Sequence, residues 1–443
     1  MTIKVGLVSL GCPKNLVDSE IMLGLLKESG YIITNRAEEA DVIIINTCSF
    51  INDAKKESID TILEMAHLKT EGNCSALLVA GCLAQRYPDE LKEEMPEIDG
   101  LLGTGSLDQV CVLIEMVLAG NKTSLVEKPG YLHTATQPRI QATPFYTSYL
   151  KISEGCDNRC TYCTIPAVRG PFRSRQSEDI VSEAKTMLKS GVKELVLVAQ
   201  DTTRYGLDLY GRPSLDTLLE KLCRLEGLVW IRLLYAYPSL FNNQLIQLIA
   251  KEEKICKYLD LPLQHASDRI LQQMKRQGNR AEIEQLIEEL RRQIPGIALR
   301  SSFIVGFPGE TEDDFEQLLD FIARMRFDRV GVFTYSQEEG TPAAAFPNQV
   351  PEEIKLARRD RAMALQQKIS LENNKKKVGS QLYVLVENDN SGGSYTGRGE
   401  GDAPDIDGKV YFTSEQALQA GDFVKVLITG AKKYDLTGKH VTA

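Results

Sequence analysis

The sequence predicts a multidomain α/β protein that ends in a small antiparallel β-barrel. Two long stretches alternate short β-branched runs with amphipathic helical segments, a pattern typical of parallel sheets covered by helices. The last part of the chain instead has short strands separated by glycine-containing turns, which indicates a small barrel. A length of 443 residues fits two or three domains, and these patterns divide the chain into three.

The first predicted domain covers residues 1–125 and is a parallel sheet with helices on both faces. Its strands are short apolar runs such as DVIIIN. The predicted strands are Lys4–Ser9, Asp41–Asn46 and Ala76–Ala80, and the predicted helices are Leu16–Ser29, Lys55–His67, Pro88–Met95 and Leu107–Leu118. Because Asn121–Pro144 has little periodicity, we assign residues 126–145 to a linker.

The second predicted domain covers residues 146–377. Six strand–helix repeats indicate an open or partial (β/α) barrel. The long charged helix Pro351–Val378 follows the last repeat and leads out of this domain. The predicted strands are Tyr149–Ile152, Glu194–Ala199, Trp230–Leu234, Tyr258–Leu261, Leu299–Val305 and Arg329–Phe333. Helices are predicted at 177–190, 214–226, 242–253, 281–293 and 312–326.

The third predicted domain, residues 378–443, is the small barrel. Its predicted strands are Gln381–Val386, Ser394–Arg398, Gly408–Phe412, Phe423–Gly430 and Lys439–Thr442.

Composition and charge narrow the class of protein. No apolar run approaches the roughly 20 residues that span a bilayer, and the N-terminus lacks the features of a signal peptide. We therefore expect a cytoplasmic protein with no membrane contact. In that compartment, ten cysteines favour metal binding or catalysis over disulfides. The net charge of −9 argues against a general nucleic-acid binder.

The first cysteine group is Cys156, Cys160 and Cys163, which directly follows a predicted strand. Thiolates suit iron–sulfur clusters, and this close spacing lets three of them reach one cubane. Three ligands leave one iron of the cubane open. A structural zinc site requires a fourth Cys or His ligand, and none lies in the following stretch. A structural metal loop is the alternative interpretation.

This spacing after the first strand of a β/α barrel resembles the radical S-adenosylmethionine superfamily. The resemblance implies that the open iron chelates S-adenosylmethionine and that reduction cleaves it to a 5′-deoxyadenosyl radical. It also implies a cofactor site at Tyr162 beside the adenine, Gln200 and Asp201 near the methionyl amine, and Val305 and Gly306 on the adenine side. The stretch after Gly306 equally predicts a strand-to-helix turn, with Thr311 as the N-cap and Asp314 three residues on.

The second cysteine group is Cys12, Cys48 and Cys82. Each follows a strand directly, in KVGLVSLGC, DVIIINTC and ALLVAGC. The carboxyl ends of parallel strands lie along one sheet edge, so these three thiols can converge. Three unrelated buried cysteines remain the alternative, since free Cys is often buried. The other four cysteines lack this placement and are interpreted as structural: Cys74, Cys111, Cys223 and Cys256.

The order of domains and cysteine groups resembles the methylthiotransferase family over essentially the whole chain. The resemblance implies an N-terminal methylthiotransferase domain, a central radical barrel and a C-terminal TRAM-like barrel. It implies two 4Fe–4S clusters, the auxiliary one on Cys12, Cys48 and Cys82. One S-adenosylmethionine would supply the methyl group and a second the radical. No catalytic residue beyond the cluster ligands is identified.

Two features favour a protein substrate over tRNA. Pro13-Lys14-Asn15, after Cys12, resembles the branch of the family that modifies the β-carbon of an aspartate in a small-subunit ribosomal protein. In the final barrel acids outnumber bases, which suits a basic ribosomal protein better than a phosphate backbone. Ordinary surface charge is the alternative explanation of that excess. A reductant or electron donor protein is also expected, and the sulfur donor is not identified.

Two alternative functions stay open at this point, and the N-terminal cysteines argue against a third, a radical enzyme with a different product. The first is a tRNA methylthiotransferase that acts on a hypermodified adenosine. The second is a non-catalytic iron–sulfur protein that binds RNA or the ribosome, which would form no 5′-deoxyadenosine.

Overall fold

Residues 3–441 are described by a computed structural model, in which the N-terminal region forms a six-stranded parallel sheet in the order β2–β1–β3–β4–β5–β6. Its strands are β1 (Lys4–Ser9), β2 (Ile32–Thr34), β3 (Val42–Thr47), β4 (Ala76–Gly81), β5 (Gly100–Leu102) and β6 (Thr123–Leu125). Its helices are α1 (Pro13–Glu28), α2 (Asn52–Ala66), α3 (Leu68–Glu71), α4 (Cys82–Arg86), α5 (Pro88–Glu94) and α6 (Val110–Leu118).

Both faces of this sheet are covered, because side chains along a strand alternate between its two faces. Ile44 of β3 packs with α1 and α6, whereas Ile43 and Ile45 pack with α2, α4 and α5. The predicted parallel sheet is confirmed. Strands β2, β5 and β6 were not predicted, since three residues show no periodicity. Of these, β6 lies inside the aperiodic stretch Asn121–Pro144 and pairs with β5.

The central region forms an open six-stranded parallel sheet in the order β14–β13–β12–β11–β10–β7. Its strands are β7 (Thr147–Lys151), β10 (Glu194–Val198), β11 (Trp230–Leu233), β12 (Ile255–Gln264), β13 (Ala298–Val305) and β14 (Arg329–Thr334), with a small hairpin of β8 (Ser153–Glu154) and β9 (Arg173–Ser174). The helices are α7 (Ile165–Arg169), α8 (Ser177–Lys189), α9 (Leu207–Tyr210), α10 (Leu215–Cys223), α11 (Asn243–Lys251), α12 (Asp268–Gln273), α13 (Arg280–Gln293), α14 (Glu312–Met325) and α15 (Glu352–Lys376).

The predicted start of α14 is confirmed. Thr311 Oγ1 accepts a hydrogen bond from the backbone N–H of Asp314, and the Asp314 carboxylate accepts from the backbone N–H of Thr311. This reciprocal cap satisfies two N–H groups that a helix N-terminus otherwise leaves without partners.

Two faces of the central sheet bury different partners. One face packs against its own helices through residues such as Leu195 and Leu197. The opposite face, including Val196 and Val198, packs against Val17 and Ile21 of α1 and against Leu385 and Ala403 of the C-terminal region. We call this second cluster the shared core. It joins all three regions of the chain into one hydrophobic unit.

The C-terminal region is a closed five-stranded barrel in the order β15–β16–β17–β19–β18. Its strands are β15 (Gln381–Asp389), β16 (Ser394–Gly399), β17 (Val410–Thr413), β18 (Phe423–Ala431) and β19 (Leu436–His440). The pair β17–β19 is parallel and the other pairs are antiparallel. The last predicted strand extended to Thr442, which lies outside the described residues. The predicted barrel is otherwise confirmed, and the predicted domain boundaries stay predictions.

Acidic residues of the barrel pair with arginines and a tyrosine of the central region. Arg329 donates to Asp402 at 2.5 Å, and Tyr258 donates to Asp407 at 2.7 Å. Within the barrel, Glu387 accepts from the buried Arg398 at 2.7 Å. The exposed charges of the barrel are Asp389, Glu400, Asp405 and Glu415 beside Lys409, Lys425, Lys432, Lys433 and Lys439. Among the exposed charges of the barrel, acids therefore do not outnumber bases, because much of the acidic excess counted in the sequence is paired inside the protein.

Within residues 3–441, no helix combines the length and the apolar character required to cross a bilayer.

Candidate metal and cofactor site

The cysteines of the second group lie at one edge of the N-terminal sheet. Cys12 directly precedes α1, Cys48 follows β3 and Cys82 is the first residue of α4. Strands β1, β3 and β4 are neighbours in the sheet, so the three thiols come together at their carboxyl ends. A Cβ on Gly11, the residue before Cys12, would lie 3.2 Å from the sulfur of Cys48, and the hydroxyl of Ser49, the residue after Cys48, donates to the Cys82 carbonyl at 3.0 Å. The sequence-based placement of these side chains thus matches the geometry.

A glycine with positive φ precedes three of the six cysteines: Gly11 (88°), Gly81 (89°) and Gly155 (79°). Such a backbone conformation favours glycine, because a Cβ there meets the backbone. A Cβ on Gly11 would stand 2.8 Å from the Cβ of Cys48, and one on Gly81 would stand 2.2 Å from the Asn46 side chain. The repeated Gly-Cys pair was a sequence signal of the site that periodicity arguments missed.

The first cysteine group lies in the loop between β8 and α7. The Cys156 N–H donates to the carbonyl of Gly170 at 3.1 Å, and the Thr161 N–H donates to the carbonyl of Met274 at 3.1 Å. Asn158, inside the loop, donates to the carboxylate of Asp201 at 3.0 Å. These contacts anchor the loop to the carboxyl ends of the central strands.

Both groups have the donor chemistry of an iron–sulfur site. Burial raises the pKa of Cys48 and of Cys163 to about 12 and that of Cys156 to about 11, so the free thiols keep their protons until a metal displaces them. Within residues 3–441, no three His, Cys, Asp or Glu side chains gather tightly enough for a single ion. A cubane binds each thiolate at a different iron and therefore accepts a wider triangle of sulfurs.

One buried arginine accompanies each cysteine group. The Arg169 guanidinium donates to the sulfur of Cys82 at 3.3 Å, and that of Arg276 lies 4.0 Å from the sulfur of Cys160. N–H donors near cluster sulfurs offset the negative charge of thiolate ligands and influence the reduction potential. Both arginines were missed by the sequence reasoning, because each lies outside the cysteine motifs.

The residues expected at the cofactor lie near the first cysteine group. Tyr162 packs against the cluster of apolar side chains that includes Phe307, directly after Val305 and Gly306. Gln200 donates to Glu154 at 2.5 Å. The residues expected at the adenine of S-adenosylmethionine and those expected at its methionyl amine thus lie at the same edge of the central sheet.

Asp201, expected near the methionyl amine, also makes contacts that the sequence did not predict. It is 1% exposed and accepts hydrogen bonds from Asn158 and from Thr203 at 2.7 Å. Burial raises its pKa above the ordinary value. Its contacts brace the cysteine loop.

A buried ionic network runs from the second cysteine group to the residues expected at the cofactor. Asp18 of α1 accepts from Arg169 at 2.5 Å and from Lys151 of β7. Glu154 accepts from Lys151 at 2.7 Å and from Gln200, so the contacts run from Cys82 to the expected cofactor residues. Burial would raise the pKa of Glu154, but Lys151 and Arg169 hold it well below its usual range.

The motif Pro13-Lys14-Asn15 is built into this network. Asn15 donates to the carbonyls of Leu10 at 2.7 Å and Thr47 at 3.1 Å, and its side-chain oxygen accepts from Arg169 at 2.9 Å. Lys14 is 7% exposed, and its ammonium lies 3.4 Å from the ring centroid of Tyr235 in the central region. The motif thus connects two strand ends of the N-terminal sheet to the central sheet.

A cavity of about 300 Å³ lies elsewhere, between α8 and α10, and is lined by Glu178, Tyr210 and Lys221 among others. No cysteine lines this cavity, so it is distinct from the site described above.

Comparisons with known proteins agree with this arrangement. Residues 4–103 match the uncharacterized protein family UPF0004, residues 150–322 the radical SAM superfamily and residues 378–441 the TRAM domain. The predicted fold class, with its radical SAM barrel and TRAM-like barrel, is therefore confirmed.

Curated relatives match over the full length. The ribosomal protein uS12 methylthiotransferase RimO of Pelotomaculum thermopropionicum is 64% identical over 100% of both chains. The protein of the same description from Desulforamulus reducens is 56% identical over 98% of this chain and 99% of its own. Among solved structures, the radical S-adenosylmethionine methyltransferase TsrM from Kitasatospora setae has a TM-score of 0.57 at 14% identity, covering 89% of this chain and 81% of that one. At that identity the likeness concerns the fold alone.

Proposed function

This chain belongs to the RimO family of ribosomal protein uS12 methylthiotransferases, and from that premise we propose that it attaches a methylthio group to the β-carbon of an aspartate of uS12. The observation that carries the proposal is the buried ionic network that joins the second cysteine group to a residue expected at the cofactor of the first. A sulfur-inserting radical enzyme needs a radical source and a sulfur donor close to one substrate atom. The network from Cys82 through Arg169 and Glu154 to Gln200 supports that requirement.

Membership of the radical SAM superfamily implies one 4Fe–4S cluster and S-adenosylmethionine. We propose that Cys156, Cys160 and Cys163 hold this cluster, and that a second cluster is held by Cys12, Cys48 and Cys82. When bound, the first cluster would supply the electron that cleaves S-adenosylmethionine, and the second cluster would supply the sulfur. One S-adenosylmethionine is the methyl donor and another is the radical source.

The chain's own residues hold the reactants in place in this proposal. Tyr162, Val305 and Gly306 bind the adenine side of S-adenosylmethionine, and Gln200 and Asp201 its methionyl end. Glu154 orients Gln200 through the 2.5 Å hydrogen bond between them. The two domains exclude water around the reacting atoms, as the near-complete burial of Asp18, Lys151 and Arg169 supports.

The substrate assignment also implies partners and a location. A ribosomal protein substrate implies work in the cytoplasm, together with an electron donor protein and a sulfur donor. The two curated relatives named above carry the uS12 description and not a tRNA one, which favours the ribosomal protein over the tRNA alternative.

We expect the anaerobically reconstituted enzyme to add one methylthio group to a single aspartate of uS12. The incubation contains reductant and S-adenosylmethionine, and peptide mass spectrometry locates the modification. An equal incubation with unmodified and hypermodified tRNA is the control. Thiolated nucleoside together with untouched uS12 would contradict the proposal.

We expect the change Gly11→Ala to remove about half of the iron that the reconstituted protein binds, because one of two 4Fe–4S sites is lost. The added methyl group would push Cys48 out of position, since its Cβ would stand 2.8 Å from that of Cys48. Iron and sulfide analysis measures the loss, and circular dichroism checks the fold.

The control for that substitution is Gly30→Ala. Gly30 has a positive φ of 89°, one degree from that of Gly11, yet a Cβ there has no neighbour within 4 Å. This variant therefore carries the same backbone strain and should keep its full iron content. Equal iron loss in both variants would show that strain alone, and not contact with Cys48, explains the result.

A further inference from the structure

We propose that Lys14 binds the side-chain carboxylate of the target aspartate and thereby selects aspartate as the residue modified. This inference rests on the function proposed above and names the recognition that the same site must provide. It assigns to Lys14 a role that neither the cysteine groups nor the cofactor residues fulfil.

The first step is that Lys14 is a buried cation without an anionic protein partner. It is 7% exposed, and within residues 3–441 no carboxylate oxygen lies within 4.0 Å of its ammonium. Other buried cations of the chain have such partners: Lys151 contacts Asp18 and Glu154, and Arg329 contacts Asp402. A buried charge is costly unless it is paired, so Lys14 suits an anion that arrives with the substrate.

The second step concerns the direction of the ammonium. Lys14 points across the boundary between domains onto the ring of Tyr235, at 3.4 Å from its centroid. Its stem is fixed by the neighbouring Asn15, which is bound to two strand ends and to Arg169. The charge therefore stands between the second cysteine group and the central sheet, where the substrate of both must lie.

The third step is the conformation of Tyr235. Its φ of 58° is in the left-handed region, which is unfavourable for a bulky residue. The backbone is held there because the Tyr235 N–H donates to the Asp260 carboxylate at 3.0 Å and the Ala236 N–H donates to the Asp260 carbonyl at 2.9 Å. Strained residues of this kind cluster at functional sites, where they fix a side chain. Here the fixed ring supports the ammonium by a cation–π contact.

The fourth step is that the ammonium of Lys14 makes no direct contact with a cysteine sulfur. Arg169 and Arg276 each lie within hydrogen-bonding reach of a cysteine sulfur, at 3.3 and 4.0 Å. No such contact joins Lys14 to Cys12 in the described part of the chain. In addition, the first turn of α1 contains no acidic residue, so the positive end of the helix adds to the attraction for an anion.

The chemistry of the reaction explains why a cation is useful at this place. The carbon to be thiolated is bonded directly to the carboxylate carbon of the aspartate. A cation that fixes the carboxylate therefore fixes the reacting C–H one bond away. An asparagine or an adenosine offers no negative charge to the same group, so Lys14 would discriminate against both.

The test compares two synthetic uS12 segments, one with the target aspartate and one with asparagine in its place. Fluorescence anisotropy measures their binding to anaerobically reconstituted enzyme with S-adenosylmethionine. We expect the wild type to prefer the aspartate segment by about 10- to 100-fold, the range for hydrogen bonds to charged groups. Lys14→Met should bind both segments equally, with the affinity of the wild type for the asparagine segment. Lys14→Arg should keep part of the preference.

Lys27→Met is the matched control, because Lys27 is exposed in the last turn of the same helix. It removes the same charge and should leave the preference unchanged. Iron content and the electron paramagnetic resonance spectrum should match the wild type in all variants. An unchanged preference in Lys14→Met overturns the proposal, as does failure of both Lys14→Met and Lys14→Gln to load iron, which would assign Lys14 to the metal site. If the wild type itself neither binds nor thiolates uS12, the proposed function fails instead.

Discussion

Replacing Cys82 with alanine is expected to abolish methylthiolation of uS12 while 5′-deoxyadenosine is still formed at close to the wild-type rate. Cys82 belongs to the group at the edge of the N-terminal sheet, whereas Cys156, Cys160 and Cys163 lie in a separate loop of the central region. Loss of a metal ligand removes more function than loss of a group that only orients a ligand. The rate of uS12 methylthiolation is therefore expected to fall by at least about 100-fold. Chromatography of 5′-deoxyadenosine and mass spectrometry of uS12 measure the two products from one incubation.

Two further variants test the separation of the two groups. Cys160→Ala is expected to lose both products, because it removes a ligand of the radical-generating group. Cys111→Ala is the control, since this thiol lies on α6 and contacts Ser29 at 3.3 Å, away from both groups. Normal thiolation by Cys82→Ala would show that the second cluster is assigned to the wrong residues.

Arg398→Met is expected to loosen the barrel from the central region and to destabilise the protein by about 3–5 kcal/mol, the range for breaking a buried ion pair. Arg398 donates to the carboxylate of Glu194, which is fully buried and also contacts Arg232 at 3.0 Å. Its loss leaves part of the Glu194 charge uncompensated. Calorimetry measures the stability, and hydrogen exchange of residues 399–407 reports the docking of the barrel. Lys425→Met, an exposed lysine of the same barrel, should change stability by about 0.5 kcal/mol or less.

The same ion pair predicts a pH dependence. Burial alone would raise the pKa of Glu194, but Arg398 and Arg232 lower it to about 2. A carboxyl group whose folded pKa is lowered contributes stability above its unfolded pKa of about 4.3, and this contribution is lost as the pH falls toward 2. The stability difference between wild type and Arg398→Met should therefore shrink between about pH 4.3 and pH 2. A constant difference over this range would contradict the assigned role of Glu194.

Much of the architecture could be predicted because it follows from local pattern. The buried run of β3 and the alternation of strands with helices identified the parallel sheets, and parallel strands imply that Cys12, Cys48 and Cys82 share an edge. The N-terminal cap of α14 by Thr311 could likewise be predicted, since it depends on two residues three positions apart. These features need no knowledge of distant contacts.

The rest depends on contacts between residues far apart in the chain. Arg169 reaches Cys82 and Asp18 from the central region, and no spacing rule relates those three positions. The acids of the barrel could be counted, but their pairing with Arg329 and Tyr258 could not be. Charge counts therefore suggested an acidic surface where the folded chain has internal ion pairs.

The shared core has a consequence for the order in which the protein is made. Helix α1 leaves the ribosome before the central strands that it covers, whereas Leu385 and Ala403 emerge near the end of synthesis. A nascent chain that has reached α15 thus contains all six cysteines but still exposes part of the sheet beside them. That face of the sheet is covered only after the barrel residues that follow α15, through at least Ala403, have been translated.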